Sequence, residues 1–254
     1  MNETGRTIQS VRTSCEILQV LQDHGGARIA TIADELEMSR GNVHHHLNTL
    51  RQEEFVKKEG DEYGISLKFV AYAESAKQSV TEYDVVRSEV EQLAQDVGEV
   101  VNFAVEEHSW VVYLHKERGE GAVHTAAFPG TRLHMHCSAL GKAILAQNDR
   151  EEVEAVLEKR GMPAYTDQTI QDKETLWSQL ETIRETGVSH DYEEVVTGVR
   201  CVAVPLRTPA GDVFGAISVS GPSQRLTDHM FEETLPQKLA QSANVIEVNL
   251  LTTS

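Results

Sequence analysis

Met38-Ser39-Arg40-Gly41-Asn42-Val43-His44-His45-His46-Leu47-Asn48-Thr49-Leu50 is the stretch on which the fold turns. Serine is a strong helix N-cap, and Val43, Leu47 and Leu50 recur at the three- and four-residue steps that make one apolar side of a helix. The opposite side carries only hydrogen-bonding groups. Just downstream, Phe55-Val56-Lys57-Lys58-Glu59-Gly60-Asp61-Glu62-Tyr63 reads as a strand, a tight turn and a returning strand. Upstream, Ile8 to Asp23 places Ile8, Val11, Cys15, Leu18 and Leu21 on a predicted apolar stripe that stops at His24-Gly25-Gly26. A short helix follows over Ile29 to Leu36, with Ile32, Ala33 and Leu36 inward. Three helices and a two-stranded wing in this order predict a winged helix-turn-helix, with Ser39 to Asn48 facing double-stranded DNA.

At 254 residues the chain has room for this small unit and a larger one. No basic segment followed by an apolar run opens it, and no stretch approaches the roughly 18 apolar residues that span a bilayer. The expectation is a soluble, cytoplasmic protein with no membrane partner. Cys15, Cys137 and Cys201 are odd in number and widely spaced, which suggests reduced thiols and no disulfide framework.

The net charge of −17 runs against DNA binding, because phosphate contacts ordinarily supply most of the affinity. Its distribution softens the conflict. Residues 1–70 hold eight basic and eleven acidic side chains, so nearly all of the excess acid lies further on. Sparse lysine with abundant glutamate resembles the proteins of salt-loving archaea, where at about 1 M salt the screening length is only roughly 3 Å.

Beyond the wing, Leu67 to Gln78 reads as a helical connector and Tyr83 to Val97 as an amphipathic helix. Val100 to Glu106 and Trp110 to Lys116 form a predicted strand pair. Ser138 caps a helix running to Gln147, Asp149 and Glu152 form a capping box for a helix closed by Gly161, and Asp172 to Thr186 is closed by Gly187. Strands are predicted over Val188 to Glu194, Arg200 to Leu206 and Val213 to Ser220, and a last helix over Leu235 to Leu251. The fold class is therefore α+β, divided at 1–66, 67–81 and 82–254.

The order of motifs closely resembles the IclR-type transcriptional regulators from about Ile8 to Leu250. The resemblance rests on the winged head ending in Gly60-Asp61-Glu62-Tyr63, on His136-Cys137-Ser138-Ala139-Leu140-Gly141-Lys142-Ala143, and on Thr166 with Thr169-Ile170. It continues through Gly187 to Glu194, Gly198-Val199-Arg200-Cys201-Val202-Ala203 and Ala216-Ile217-Ser218-Val219-Ser220-Gly221-Pro222. It implies a linker helix, a GAF-like effector-binding domain, a homodimer or homotetramer on operator DNA, no cofactor and no enzymatic activity. Asp191, Cys201, Ser218 and Ser220, with Ala139 and Leu140, match the positions that line the family's effector pocket. His45 departs from the pattern, standing where an arginine is usual.

For the DNA contact the candidates are Ser39, Arg40, Gly41, Asn42, His44, His45 and Asn48, with Lys57 and Lys58 in the wing. Arginine pairs with guanine and asparagine with adenine, so Arg40 and either Asn42 or Asn48 are the expected base readers. For the effector, Ser138 starts a helix whose Ala139, Leu140 and Gly141 N–H groups suit a carboxylate. Asp191 would repel a bare carboxylate, so it is read as accepting a hydrogen bond from a ligand hydroxyl. A keto, hydroxy or sugar-derived acid satisfies both.

Other readings of the same residues stay open. His44, His45 and His46 are adjacent on a helix and point apart, which disfavours a shared metal. His134 and His136 would share a strand face from which Cys137 points away. Cys201 with a nearby histidine permits a thiol enzyme. A DNA-binding protein whose second part serves only oligomerisation is the remaining alternative.

Overall fold

The computed structural model describes residues 5–80, 82–123 and 127–253, which fall into two compact units, Met1–Val80 and Thr81–Ser254. No helix among these residues is long and apolar enough to cross a membrane.

In the first unit α1 (Gln9–Asp23), α2 (Ile29–Glu35) and α3 (Arg40–Gln52) pack beside a three-stranded antiparallel sheet. Its order is β1 (Ala27–Arg28), β3 (Glu62–Ile65), β2 (Val56–Glu59). The Ser39 hydroxyl accepts the N–H of Asn42, and Val43, Leu47 and Leu50 pass into a core shared with Ile17, Leu21, Ile32 and Tyr63. Gly60 turns the wing at φ +61°, a left-handed conformation that costs glycine little. The sequence reading had no β1, a two-residue strand below the length at which periodicity can register.

The stripe expected on α1 holds at Leu18 and Leu21 and fails in its first half. Ile8 and Val11 are 67% and 57% exposed and Cys15 is exposed, whereas Thr13, Ile17, Val20 and Leu21 are buried. Both sets obey helical spacing, and Leu21 belongs to each. The pair Ile17 and Leu21, with Val20 beside them, presents more contiguous apolar surface to α3, and that face wins. The connector, α4 (Lys68–Gln78), belongs to the first unit and buries none of its residues, leaving Leu67, Val70 and Tyr72 exposed.

In the second unit a six-stranded antiparallel sheet runs β6 (Arg132–Leu133), β5 (Trp110–Arg118), β4 (Val100–Glu107), β9 (Val213–Pro222), β8 (Val199–Arg207), β7 (Ser189–Tyr192). Side chains alternate between its faces. Ala104, Ala203 and Ala216 lie under α6 (Ala139–Leu145), α7 (Arg150–Arg160) and α8 (Lys173–Thr186). Val101, Phe103, Val202, Ile217 and Val219 are buried on the other face. There α5 (Tyr83–Val97) and α9 (Leu235–Thr253) pack on each other and on the sheet. The expected capping box of Asp149 and Glu152 is made in both directions, and Gly161 and Gly187 close their helices. One turn of π-helix, Met230–Thr234, precedes α9 and has no counterpart in the sequence reading.

Candidate functional site

The strand pattern of β4, β8 and β9 creates a cavity of about 490 Å3 in the second unit. Asn102 faces Ser218 across the β4/β9 ladder, and Cys201 faces both Asp191 and Ser220. All five therefore project from one face of the sheet. Asn102 Nδ2 donates to the hydroxyls of Ser218 and Ser220 at 3.3 Å each, which fixes the polar floor. Ser138, Ala139 and Leu140 close one side, and Phe128, Leu133, Val195, Val196 and Val199 supply apolar wall.

Seven of the eight residues expected at the effector site thus line one cavity. Gly141 does not. A Cβ there would stand 2.4 Å from the Met135 carbonyl oxygen, so the glycine is needed for close packing of α6 on the preceding turn. Its N–H is also taken, donated to the Ser138 hydroxyl at 3.0 Å, which leaves only Ala139 and Leu140 of the three expected N–H groups free of that cap. Asn102 and Tyr113 are lining residues that the sequence reading missed. Asn102 was detectable as the one amide in the apolar run Val100-Val101-Asn102-Phe103-Ala104-Val105.

Burial dominates the electrostatics of the cavity's titratable groups. Burial and the nearby Glu194 push the Asp191 carboxyl up to about 7, partly offset by its acceptance of the Glu194 N–H at 2.6 Å. Burial, then Asp191, raise the Cys201 thiol well beyond the usual range, so it stays protonated and is a poor nucleophile. Tyr113 is raised in the same way. Behind the floor, fully buried Lys142 pairs with Glu194 and donates to Gln179 Oε1 at 2.8 Å. Burial raises the Glu194 carboxyl, and Lys142 opposes that shift.

His134, Met135, His136 and Cys137 lie in a turn rather than on the expected strand, because β6 ends at Leu133. The His134 and His136 rings meet edge to face at 5.7 Å, and His134 Nδ1 is 2.5 Å from the Tyr165 hydroxyl. His136 Nε2 is 3.2 Å from the Pro163 carbonyl, and burial lowers this imidazole to about 4. Cys137 is buried and raised to about 12. These groups are each engaged locally and form no common ligand set.

On the first unit, Ser39, Arg40, Gly41, Asn42, His44 and His45 are exposed along one side of α3, and Asn48 is half-buried. Asn48 Nδ2 lies 3.4 Å from His44 Nδ1, whereas His46 turns back to the Ser14 hydroxyl at 2.9 Å. In the wing, Lys57 is paired with Glu59 at 2.8 Å and Lys58 stands over the Tyr63 ring at 5.3 Å. Arg28, on the neighbouring strand, lies 3.6 Å from Glu62. Lys57 and Arg28 are thus partly neutralised within the chain.

Comparison with known proteins agrees with this architecture. Residues 77–248 match the family described as Bacterial transcriptional regulator IclR C-terminal, and residues 12–58 match Bacterial regulatory protein, arsR family. A probable HTH-type transcriptional regulator ArcR of Halobacterium salinarum is 30% identical over 99% of this chain and 97% of its own, in keeping with the acidic, lysine-poor composition. The Thermotoga maritima IclR crystal structure superposes with a TM-score of 0.77 at 25% identity, covering 96% of this chain and 99% of that one. An IclR homologue of Microbacterium hydrocarbonoxydans, solved with 4-hydroxybenzoate, gives 0.82 at 22% identity, covering 96% and 99%. Its relatives are transcriptional regulators rather than enzymes, and the chain belongs to the IclR family of transcriptional regulators.

Proposed function

We propose that this regulator binds operator DNA through α3 and the wing, and that a small organic acid in the second unit's cavity controls its affinity. The reading divides the chain into a DNA-binding part at 1–66, a linker helix at 67–81 and an effector part at 82–254, assembled as a homodimer or homotetramer in the cytoplasm. The observation that carries it is the cavity itself. Ser138, Ala139, Leu140, Asp191, Cys201, Ser218 and Ser220, separated by up to 82 positions in sequence, surround one space large enough for a small metabolite.

Hydroxyls of Ser218 and Ser220, the Asn102 amide and the Ala139 and Leu140 N–H groups suit the carboxylate and hydroxyl of a keto, hydroxy or sugar-derived acid. With its carboxyl raised to about 7, Asp191 either donates to the ligand or accepts from it near neutrality. The 4-hydroxybenzoate held by the Microbacterium relative is an acid of this general kind, carrying one carboxylate and one hydroxyl. On the DNA side, Arg40, Asn42, His44 and Asn48 contact base edges, while Ser39, Gly41, His45, Lys57 and Lys58 sit nearest the backbone.

A thermal-shift screen with organic and sugar acids tests the cavity, followed by operator binding with and without each hit. Ser218→Trp fills the floor at a cost of about 1–3 kcal/mol in stability, and the folded variant should lose the ligand response while it still binds operator. An unchanged response in that variant would place the ligand elsewhere. A screen without hits would favour a second unit that serves oligomerisation alone.

A further inference from the structure

Glu91, His115 and Glu117 come together away from the cavity, where α5 packs on β5. His115 and Glu117 are two residues apart on the strand and so share a face, and Glu91 reaches them from the second half of the helix. His115 Nε2 lies 4.0 Å from Glu91 Oε1 and 3.9 Å from Glu117 Oε2, and all three ligand atoms lie within 4.8 Å of one another. The imidazole is mostly buried at 15% exposure, whereas the carboxylates are half-exposed at 46% and 39%. Tyr83, at the start of α5, places its hydroxyl 3.4 Å from His115 Nδ1 and its ring edge-on to the imidazole. Nε2 is the ring nitrogen that faces the two carboxylates.

We propose that Glu91, His115 and Glu117 bind a divalent transition-metal ion, of the Zn2+ or Co2+ class. Bonds of about 2.0–2.2 Å to nitrogen and oxygen separate neighbouring ligands of a tetrahedral ion by about 3.4 Å. The observed 3.9 and 4.0 Å are roughly half an ångström wider, a contraction that side-chain rotation of two half-exposed glutamates supplies. A buried imidazole selects against Ca2+ and Mg2+, which prefer all-oxygen shells. The two carboxylates carry charge −2 and attract a divalent ion, which competes for Glu91 with Arg87, whose Nε lies 3.9 Å from the same Oε1. Solvent completes the shell. Tyr83 acts as the outer partner that holds the ring, a role that typically tunes metal affinity by about 10- to 100-fold.

The ion has a structural consequence. Tyr83 follows the end of α4 by only five residues, so metal binding fixes the entrance of the second unit to its own sheet. None of the three ligands lines the effector cavity, so this site stands or falls independently of the effector reading.

The test uses the full-length protein, stripped with a chelator and dialysed, titrated with ZnCl2 by calorimetry and with CoCl2 by visible absorption. One tight equivalent per chain is expected. His115→Ala should weaken it at least 100-fold, Glu117→Gln and Glu91→Gln at least tenfold, and Tyr83→Phe about tenfold. His134→Ala should leave it unchanged. Should His115→Ala fail to fold by circular dichroism, Glu91→Gln carries the test, since it alters a half-exposed helix residue. Binding undiminished in both His115→Ala and Glu91→Gln would overturn the proposal, as would a dissociation constant above about 1 mM. In the latter case the three side chains form only a local polar cluster between α5 and β5.

Discussion

The exposed side of α3 and the floor of the cavity both concentrate hydrogen-bonding groups, but under opposite constraints. On α3, Arg40, Asn42, His44 and His45 stand in solvent and are held only through a helix whose Val43, Leu47 and Leu50 are buried. Around the cavity, Asn102, Ser218, Asp191, Lys142 and Glu194 are all buried, and each is held by a named partner. A surface of the first kind can change its contacts without cost to the fold. A cavity of the second kind cannot, because every polar atom removed leaves another unsatisfied in a low-dielectric interior.

The sharpest way to break that comparison is at Lys142. Replacing it with methionine leaves Glu194 buried without its cation, and breaking a buried pair from one side costs about 3–5 kcal/mol. Denaturant unfolding of Lys142→Met should show a loss of that size, and pairing it with Glu194→Leu should restore most of it. The equivalent test on the exposed side of α3, Asn42→Ala, should change stability by no more than about 0.5 kcal/mol. Equal losses at the two places would remove the distinction.

Asp191 sharpens the comparison through pH. Its folded value of about 7 lies above the ordinary 3.8, so between roughly pH 4 and 7 the folded chain retains a proton that the unfolded chain has released. The stabilisation is complete below the unfolded value and is lost as pH rises through 7. Asp191→Asn cannot titrate. Melting curves at constant salt should show the wild type falling relative to this variant from pH 5 to pH 8, then running parallel to it. Parallel curves throughout would mean that the cavity is wetter than its burial implies.

Much of this architecture was legible because local rules act alone at the relevant residues. Ser39, Asp149 and Asp172 cap helices, Gly161 and Gly187 end them, and Ser218 and Ser220 share a face through strand geometry alone. What escaped depends on choices between equivalent local patterns. Two apolar stripes coexist on α1, and only the shape of α3 decides that Ile17 and Val20 go inward while Ile8 and Val11 do not. Lys142 was visible as the lone charge in Ala139-Leu140-Gly141-Lys142-Ala143-Ile144-Leu145, yet its partner lies 52 residues away. Glu91, His115 and Glu117 are likewise joined only by the packing of α5 on β5. The π-helical turn at Met230–Thr234 has no sequence signature to find.

The smallest expected effect is the response of operator binding to salt. Each phosphate contact made by a lysine or arginine ordinarily contributes nearly one unit to the slope of log affinity against log salt. Here Lys57 is already paired with Glu59 and Arg28 with Glu62, so meeting a phosphate requires breaking an internal pair that salt also weakens. The two losses oppose each other. On α3 only Arg40 and Arg51 are cationic, and the remaining polar groups are amides, hydroxyls and imidazoles whose short-range hydrogen bonds release few counterions. Operator affinity measured across KCl concentrations should therefore give a slope of magnitude below about 3, against roughly 5–9 for a protein making 6–10 phosphate contacts. Glu59→Gln frees Lys57 and should steepen that slope by about one unit. A steep slope in the wild type, unchanged by Glu59→Gln, would show that phosphate attraction dominates despite the acidic chain.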